Sequence, residues 1–170
     1  PARWIPAPAP PFELPDRFGE NLSLGTLSGK PVFLQFFLGV QCAFCLQQFE
    51  AFQPYWEEFD DSGIEVIAIS INPLDELKEI LGTEKELVPA FRDLFPFPIL
   101  ADPELDLFRA YGVFDDFEKG PMHGSFLLSP DHEILWQNVS HNPFDEPEAL
   151  LSEARRLLRV HEFSRNQKKD

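Results

Sequence analysis

Apolar residues in this chain follow two rhythms. A run from Val32 to Leu38, too short for a membrane span, and a β-branched run over 64–71 (IEVIAISI) both read as buried strands. Between them Cys45, Leu46, Phe49, Phe52, Tyr55, Trp56 and Phe59 recur at three-and-four spacing, which predicts an amphipathic helix over about 42–59. Pro54, late in that helix, is expected to kink it or end its regular part. Ser62-Gly63 breaks the chain, and a helix crossing between two such strands makes them parallel, one βαβ unit.

The flanks are less regular. Residues 1–11, PARWIPAPAPP, read as an extended, poorly packed tether cut from a longer chain. A short edge strand is expected at 12–14, before a turn at 15–19. After the second core strand, Asn72-Pro73 predicts a helix over 73–81, with Asn72 as its cap and Gly82 as its stop. A short helix is expected over 83–94, an extended piece at 99–101, and a helix over 104–111 capped at Asp102-Pro103. Residues 120–124 read as a loop, 125–129 and 133–138 as a β-hairpin, 147–160 as a closing helix, and 164–170 as a polar tail. The reading is one α/β domain over 12–160 between a proline-rich linker and a tail over 161–170.

Composition narrows the function. A chain of 170 residues, 44% hydrophobic, can bury a core without staples, and eighteen Phe against one Met point to a core of rings. The formal charge of -15 argues against nucleic acid and anionic membrane surfaces. The acidic runs 57–61 and 115–118 read as solvated surface. No stretch is long or apolar enough for a membrane helix, and the compartment stays open.

The candidate chemistry lies at Cys42 and Cys45, the only cysteines, placed where the first buried strand turns into the helix. Unpaired backbone N–H groups and the helix dipole favour a thiolate there, so Cys42 is the expected nucleophile and Cys45, one turn further in, the resolving thiol. Val40, Gln41, Phe44 and Met122 are the expected rim for a docking partner. Two inert buried cysteines, and a soft metal site of Cys42, Cys45 and His123, stand as alternatives. His132 and His161 read as solvated; His141 is placed to approach the site from the loop after the hairpin.

This order, with CxxC at the first strand–helix junction, resembles the thioredoxin fold as extended in the peroxiredoxin and redoxin (AhpC/TSA) superfamily, over roughly 12–158. The stretches PFELPDRFGENLSLGTLSGKPVFLQFF, IEVIAISIN, FPFPILADPELDLFRAYGV and HGSFLLSPDHEILWQ carry the resemblance. It implies an α/β fold with a central mixed sheet flanked by helices, an N-terminal extension and a helical insertion. Peroxidatic members carry Pro-x-x-x-Thr-x-x-Cys and an Arg before the hairpin strand; those positions fall on Leu38, Cys42, Cys45 and His123, three of them changed.

A thioredoxin-like site instead uses Cys42 and Cys45 directly. Here Gln41 replaces the usual Trp, Phe36 the buried acidic residue, and His123 the cis-proline, so His123 is the candidate base for Cys45. The expected activity is thiol–disulfide exchange on a disulfide-bearing protein or small molecule, with a reducing thiol partner and no dissociable cofactor. A peroxiredoxin-like peroxidase acting on hydroperoxides is the alternative, and a copper chaperone similar to the Sco type is a further one.

Overall fold

The structure is a computed structural model and describes residues 6–82 and 89–167. In chain order its elements are β1 (Ala7–Pro8), β2 (Glu13–Pro15), β3 (Asn21–Ser23), β4 (Val32–Phe37), α1 (Ala43–Phe52), α2 (Trp56–Asp61), β5 (Glu65–Ser70) and α3 (Leu74–Leu81). Then come α4 (Pro89–Arg92), β6 (Ile99–Ala101), α5 (Asp106–Ala110), β7 (Phe114–Asp115), β8 (Gly120–Pro121), β9 (His123–Leu128), β10 (Glu133–Ser140) and α6 (Pro147–Gln167).

Six strands form one mixed sheet in the order β1-β10-β9-β4-β5-β6. Strands β4, β5 and β6 run parallel, while β9 is antiparallel to β4 and to β10. Every side chain of β4 is buried, because helices or the N-terminal segment cover both sheet faces. Phe33 and Phe37 point to the side of α1, α2, α3 and α6; Val32, Leu34 and Phe36 point to the side of α5 and Phe12. Ring-on-ring packing fixes α1 on the sheet. Phe49 meets Phe37 edge-on at 5.0 Å between centroids, and Phe52 stacks on Phe33 at 5.8 Å. Such contacts add about 0.5–1.5 kcal/mol each beyond area burial, which makes α1 a rigid support for whatever its N-terminus carries.

Pro54 acts as its chemistry requires. With no N–H to donate, it ends α1 at Phe52; a 3₁₀ turn over Gln53–Tyr55 follows, and α2 resumes the helical path. The βαβ unit, the hairpin of β9 and β10, and the short strands near 13 and 99 all form.

Several local expectations change. Residues 6–11 are not loose: Ala7 and Pro8 pair with Ile134 and Glu133, and the Pro10 carbonyl accepts from the Tyr111 hydroxyl at 2.8 Å. Proline suits this outer edge because it leaves no unpaired donor facing away from the sheet. The stretch 120–124 is not a loop, since β8 pairs with β7 and β9 begins at His123. Helix α6 runs on to Gln167, so the described part of the expected polar tail is helical.

Asn72 does not cap α3; Pro73 stands at that position, and the Asn72 amide oxygen accepts from the Val40 N–H while its Nδ2 donates to Glu76 Oε2 in the first turn of α3. The helix expected over 83–94 lies partly outside the described residues; α4 is its described part. The helix near 104 is shorter than expected. Asp102 caps it by accepting from the N–H groups of Asp106, Leu107 and Phe108. His161 is packed rather than solvated, with its ring against Asp131 and Glu133, and His132 has its Nε2 buried in the hairpin turn.

Candidate active site

Strand β4 delivers the chain to a tight turn over 39–42, closed by the Cys42 N–H on the Gly39 carbonyl at 3.1 Å. Gly39 has φ +101°, a conformation that L side chains rarely adopt. A Cβ there would lie 2.7 Å from Asn72 Oδ1. That oxygen accepts from the Val40 N–H at 2.9 Å and from the Ser70 hydroxyl at 2.7 Å. The end of β5 therefore grips the turn that presents the cysteines. The Asn-Pro pair predicts a helix cap at Asn72; Ser70, two residues earlier at the end of the same strand, is the sequence sign of another role.

Cys42 is the N-cap of α1 and half-buried; its Sγ accepts from the Cys45 N–H at 3.3 Å. Cys45, one turn in, is fully buried. The two are joined in a disulfide with Cα atoms 5.2 Å apart. On the inner side the Leu38 N–H points at Cys45 Sγ, 3.4 Å away, and His123 Nε2 lies 3.2 Å from the same sulfur. His123 opens β9, where it pairs with Ser140 of β10 and precedes Gly124, the partner of Phe36 in β4; it is 5% exposed. Pro121, two residues earlier, pairs with Phe114.

The tautomer of His123 follows from its partners. Its Nδ1 is 3.0 Å from the carbonyl oxygen of His141, which can only accept, so Nδ1 carries the proton and donates. Nε2 then faces Cys45 with its lone pair. Burial, aided by the nearby His141 and opposed by the hydrogen bond to that carbonyl, holds the His123 pKa below the usual histidine value, so the ring is a neutral base at pH 7. His141 reaches the site through its backbone; its imidazole points away, 3.0 Å from Asp115 Oδ2. Asp115 is thus engaged rather than merely solvated.

Of the expected rim, Val40 is wrong: it is 2% exposed and belongs to the core, because the grip on its N–H turns it inward. Gln41 is exposed, Phe44 is 69% exposed, and Met122 is half-buried. Among the described residues, two clusters have ligand atoms within 4.8 Å of one another: Cys42, Cys45 and His123, and Asp115, Glu118 and His141. The first can hold a soft cation only as the dithiol, since the same sulfurs form the disulfide. The described residues include no helix long and apolar enough to cross a membrane.

A mixed sheet flanked by helices, with CxxC at the start of the helix that follows its central strand, defines a thioredoxin-like protein. The family model named AhpC/TSA family matches residues 5–137, and the chain belongs to that family. It is 32% identical over 152 residues to a chloroplastic peroxiredoxin Q of Sedum lineare, covering 88% of this chain and 74% of that one. It is 28% identical over 129 residues to the thiol-disulfide oxidoreductase ResA of Bacillus subtilis, covering 75% of this chain and 63% of ResA. The crystal structure of peroxidoxin BcpB from Mycobacterium tuberculosis superposes with a TM-score of 0.68 at 22% identity, covering 91% and 96% of the two chains; this likeness shows the fold.

Proposed function

We propose that this protein is a thiol–disulfide oxidoreductase in which Cys42 is the nucleophile, Cys45 the resolving thiol and His123 the base. The reading is carried by the asymmetry of the pair: a half-exposed Cys42 at a helix N-terminus, bonded to a fully buried Cys45 whose sulfur meets an imidazole lone pair at 3.2 Å. In the reduced protein the helix N-terminus favours the Cys42 thiolate. It attacks a substrate disulfide, forming a mixed disulfide and expelling one substrate thiolate. The Cys45 thiol gives its proton to His123 Nε2 and its sulfur attacks Cys42 Sγ, expelling the second substrate thiolate, which takes up a proton. The products are the Cys42–Cys45 disulfide and two substrate thiols, and an external dithiol or thiol pair reverses the change. The substrates belong to the class of protein or small-molecule disulfides, with the exposed Phe44 and Gln41 meeting them first.

A peroxidase is the second reading, favoured by the identity to peroxiredoxin Q. In it a cysteine thiolate attacks a hydroperoxide, becomes a sulfenic acid and condenses with its neighbour. Against it stand Leu38, Cys42 and His123 at the positions of the peroxidatic Pro, Thr and Arg, because the Thr hydroxyl and the Arg guanidinium that would organise the peroxide oxygens are replaced. Insulin reduction and stopped-flow reaction with hydrogen peroxide, run in parallel on the wild type, Cys42→Ser and Cys45→Ser, separate the two. Insulin reduction abolished in Cys42→Ser, with a slow peroxide reaction, is the expected result. Rapid peroxide consumption that survives loss of one cysteine overturns it in favour of the peroxidase.

A further inference from the structure

Nothing in the exchange chemistry itself requires His141 or Asp115, yet the geometry runs through both. His123 Nδ1 donates to the carbonyl of His141, which lies just beyond the end of β10. That residue sits at a bend where the Asn142 N–H bonds to the Ser140 hydroxyl at 3.2 Å. A carbonyl at a bend is only as well placed as the loop that bears it. The His141 ring anchors this loop to the hairpin of β7 and β8: its Nε2 is 3.0 Å from Asp115 Oδ2 and 4.0 Å from Glu118 Oε2. Asp115 is itself fixed, since its Oδ1 accepts from the N–H groups of Phe117 and Glu118 at 2.8 and 3.0 Å.

From this arrangement, and resting on the assignment of His123 as the base, we propose that Asp115 and His141 are positioning residues for the reaction. Asp115 holds the His141 ring, the ring holds the loop, and the loop's carbonyl accepts a hydrogen bond from the Nδ1–H of His123, which keeps the proton on Nδ1 and leaves Nε2 free to accept the Cys45 proton. The Asp115 carboxyl is suited to the task. The backbone N–H groups of Glu118 and Phe117, with the His141 ring, keep its pKa below the usual carboxylate range, so it is an anion at neutral pH. Without the anchor the carbonyl moves, and the alternative tautomer, protonated at Nε2, presents a donor to Cys45 and cannot act as its base.

The chain of contacts explains why a residue on the short β7 strand and one beyond β10 converge on a sulfur that neither touches. It also separates the two functions of residue 141. Any residue supplies the carbonyl; only one with a donor at the reach of the imidazole supplies the anchor.

The test reads the tautomer directly, by long-range ¹H–¹⁵N correlation spectra of His123 in the reduced full chain labelled with ¹⁵N-histidine. Alongside it, single-turnover formation of the Cys42–Cys45 disulfide is timed for the wild type, Asp115→Asn, His141→Ala and His141→Gln. The wild type is expected to show the Nδ1-protonated form. In Asp115→Asn and His141→Ala the two tautomers mix and disulfide closure slows about tenfold, while His141→Gln, which keeps a donor toward Asp115, recovers most of the rate. An unchanged His123 tautomer in both Asp115→Asn and His141→Ala overturns the inference, as does a lost rate that His141→Gln fails to recover. Should His141→Ala not fold, Asp115→Asn decides alone. A mixed tautomer with insulin reduction absent even in the wild type keeps the positioning and instead rejects the oxidoreductase reading.

Discussion

Replacing Gly39 by Ala perturbs the turn that presents Cys42, and its cost can be worked from the structure. At φ +101° a side chain forces the backbone into a region that costs an L residue about 1–2 kcal/mol. The new Cβ also lies 2.7 Å from Asn72 Oδ1, closer than such atoms approach, so Asn72 must move and release the Val40 N–H. A buried donor left without a partner costs about 1–3 kcal/mol. Together these predict a loss of about 2–5 kcal/mol, a large share of the ~5–15 kcal/mol that stabilises a typical domain.

Urea unfolding of the oxidised protein at pH 7, followed by tryptophan fluorescence, measures this loss. A cycle with Asn72→Ala isolates its cause. In that background the Val40 donor is already orphaned, so adding Gly39→Ala should cost only the backbone part, and the double variant should be more stable than additivity by at least about 1 kcal/mol. A single Gly39→Ala change within 1 kcal/mol of the wild type, or strict additivity in the cycle, would refute the claim that Asn72 grips this turn.

Asp102→Ala removes the acceptor for three N–H groups at the start of α5 and should cost about 2–4 kcal/mol in the same assay. Because burial lowers the His123 pKa in the folded state, the unfolded chain binds the proton more readily. The stability that rests on neutral His123 is fully present above the unfolded value, near 6.5, and is lost as pH falls through the folded one. The difference in unfolding free energy between the wild type and His123→Gln should therefore shrink on acidification from pH 8 to 5; a constant difference contradicts the burial argument. Phe44→Ser should change stability by less than about 0.5 kcal/mol, since the ring is 69% exposed, and should slow exchange with protein disulfides more than with small ones.

What the sequence made legible depended on whether local pattern carried the information. The run at β4, the three-and-four spacing of α1 and the break at Pro54 are encoded within a few residues, and those elements form where their chemistry demands. The CxxC was visible for the same reason: both thiols lie on one helix turn. Residues that matter through long-range contacts were harder to read. Asn72 looked like a cap because Asn-Pro is a strong local signal, whereas its partner, Val40, lies 32 residues away. Val40 looked like a rim residue because it flanks the cysteines in sequence, and only that grip explains its burial. His141 was expected near the site, and the contact is made by its carbonyl, which every residue has and no sequence can mark. Residues 1–11 read as a tether because proline-rich stretches usually are; for Ala7 and Pro8 the outer edge of β10 is a place where proline's missing donor does no harm.

The central claim, that Cys42 attacks and Cys45 resolves, is tested most directly by trapping. Reduced Cys45→Ser and Cys42→Ser proteins are mixed with a disulfide-bonded peptide and analysed by intact-mass and peptide mapping. The account predicts a thiol-reversible adduct on Cys42 in Cys45→Ser and almost none in Cys42→Ser, because the remaining Cys45 is buried. An adduct that forms readily on Cys45 in Cys42→Ser, with Cys42 unmodified in Cys45→Ser, would contradict it.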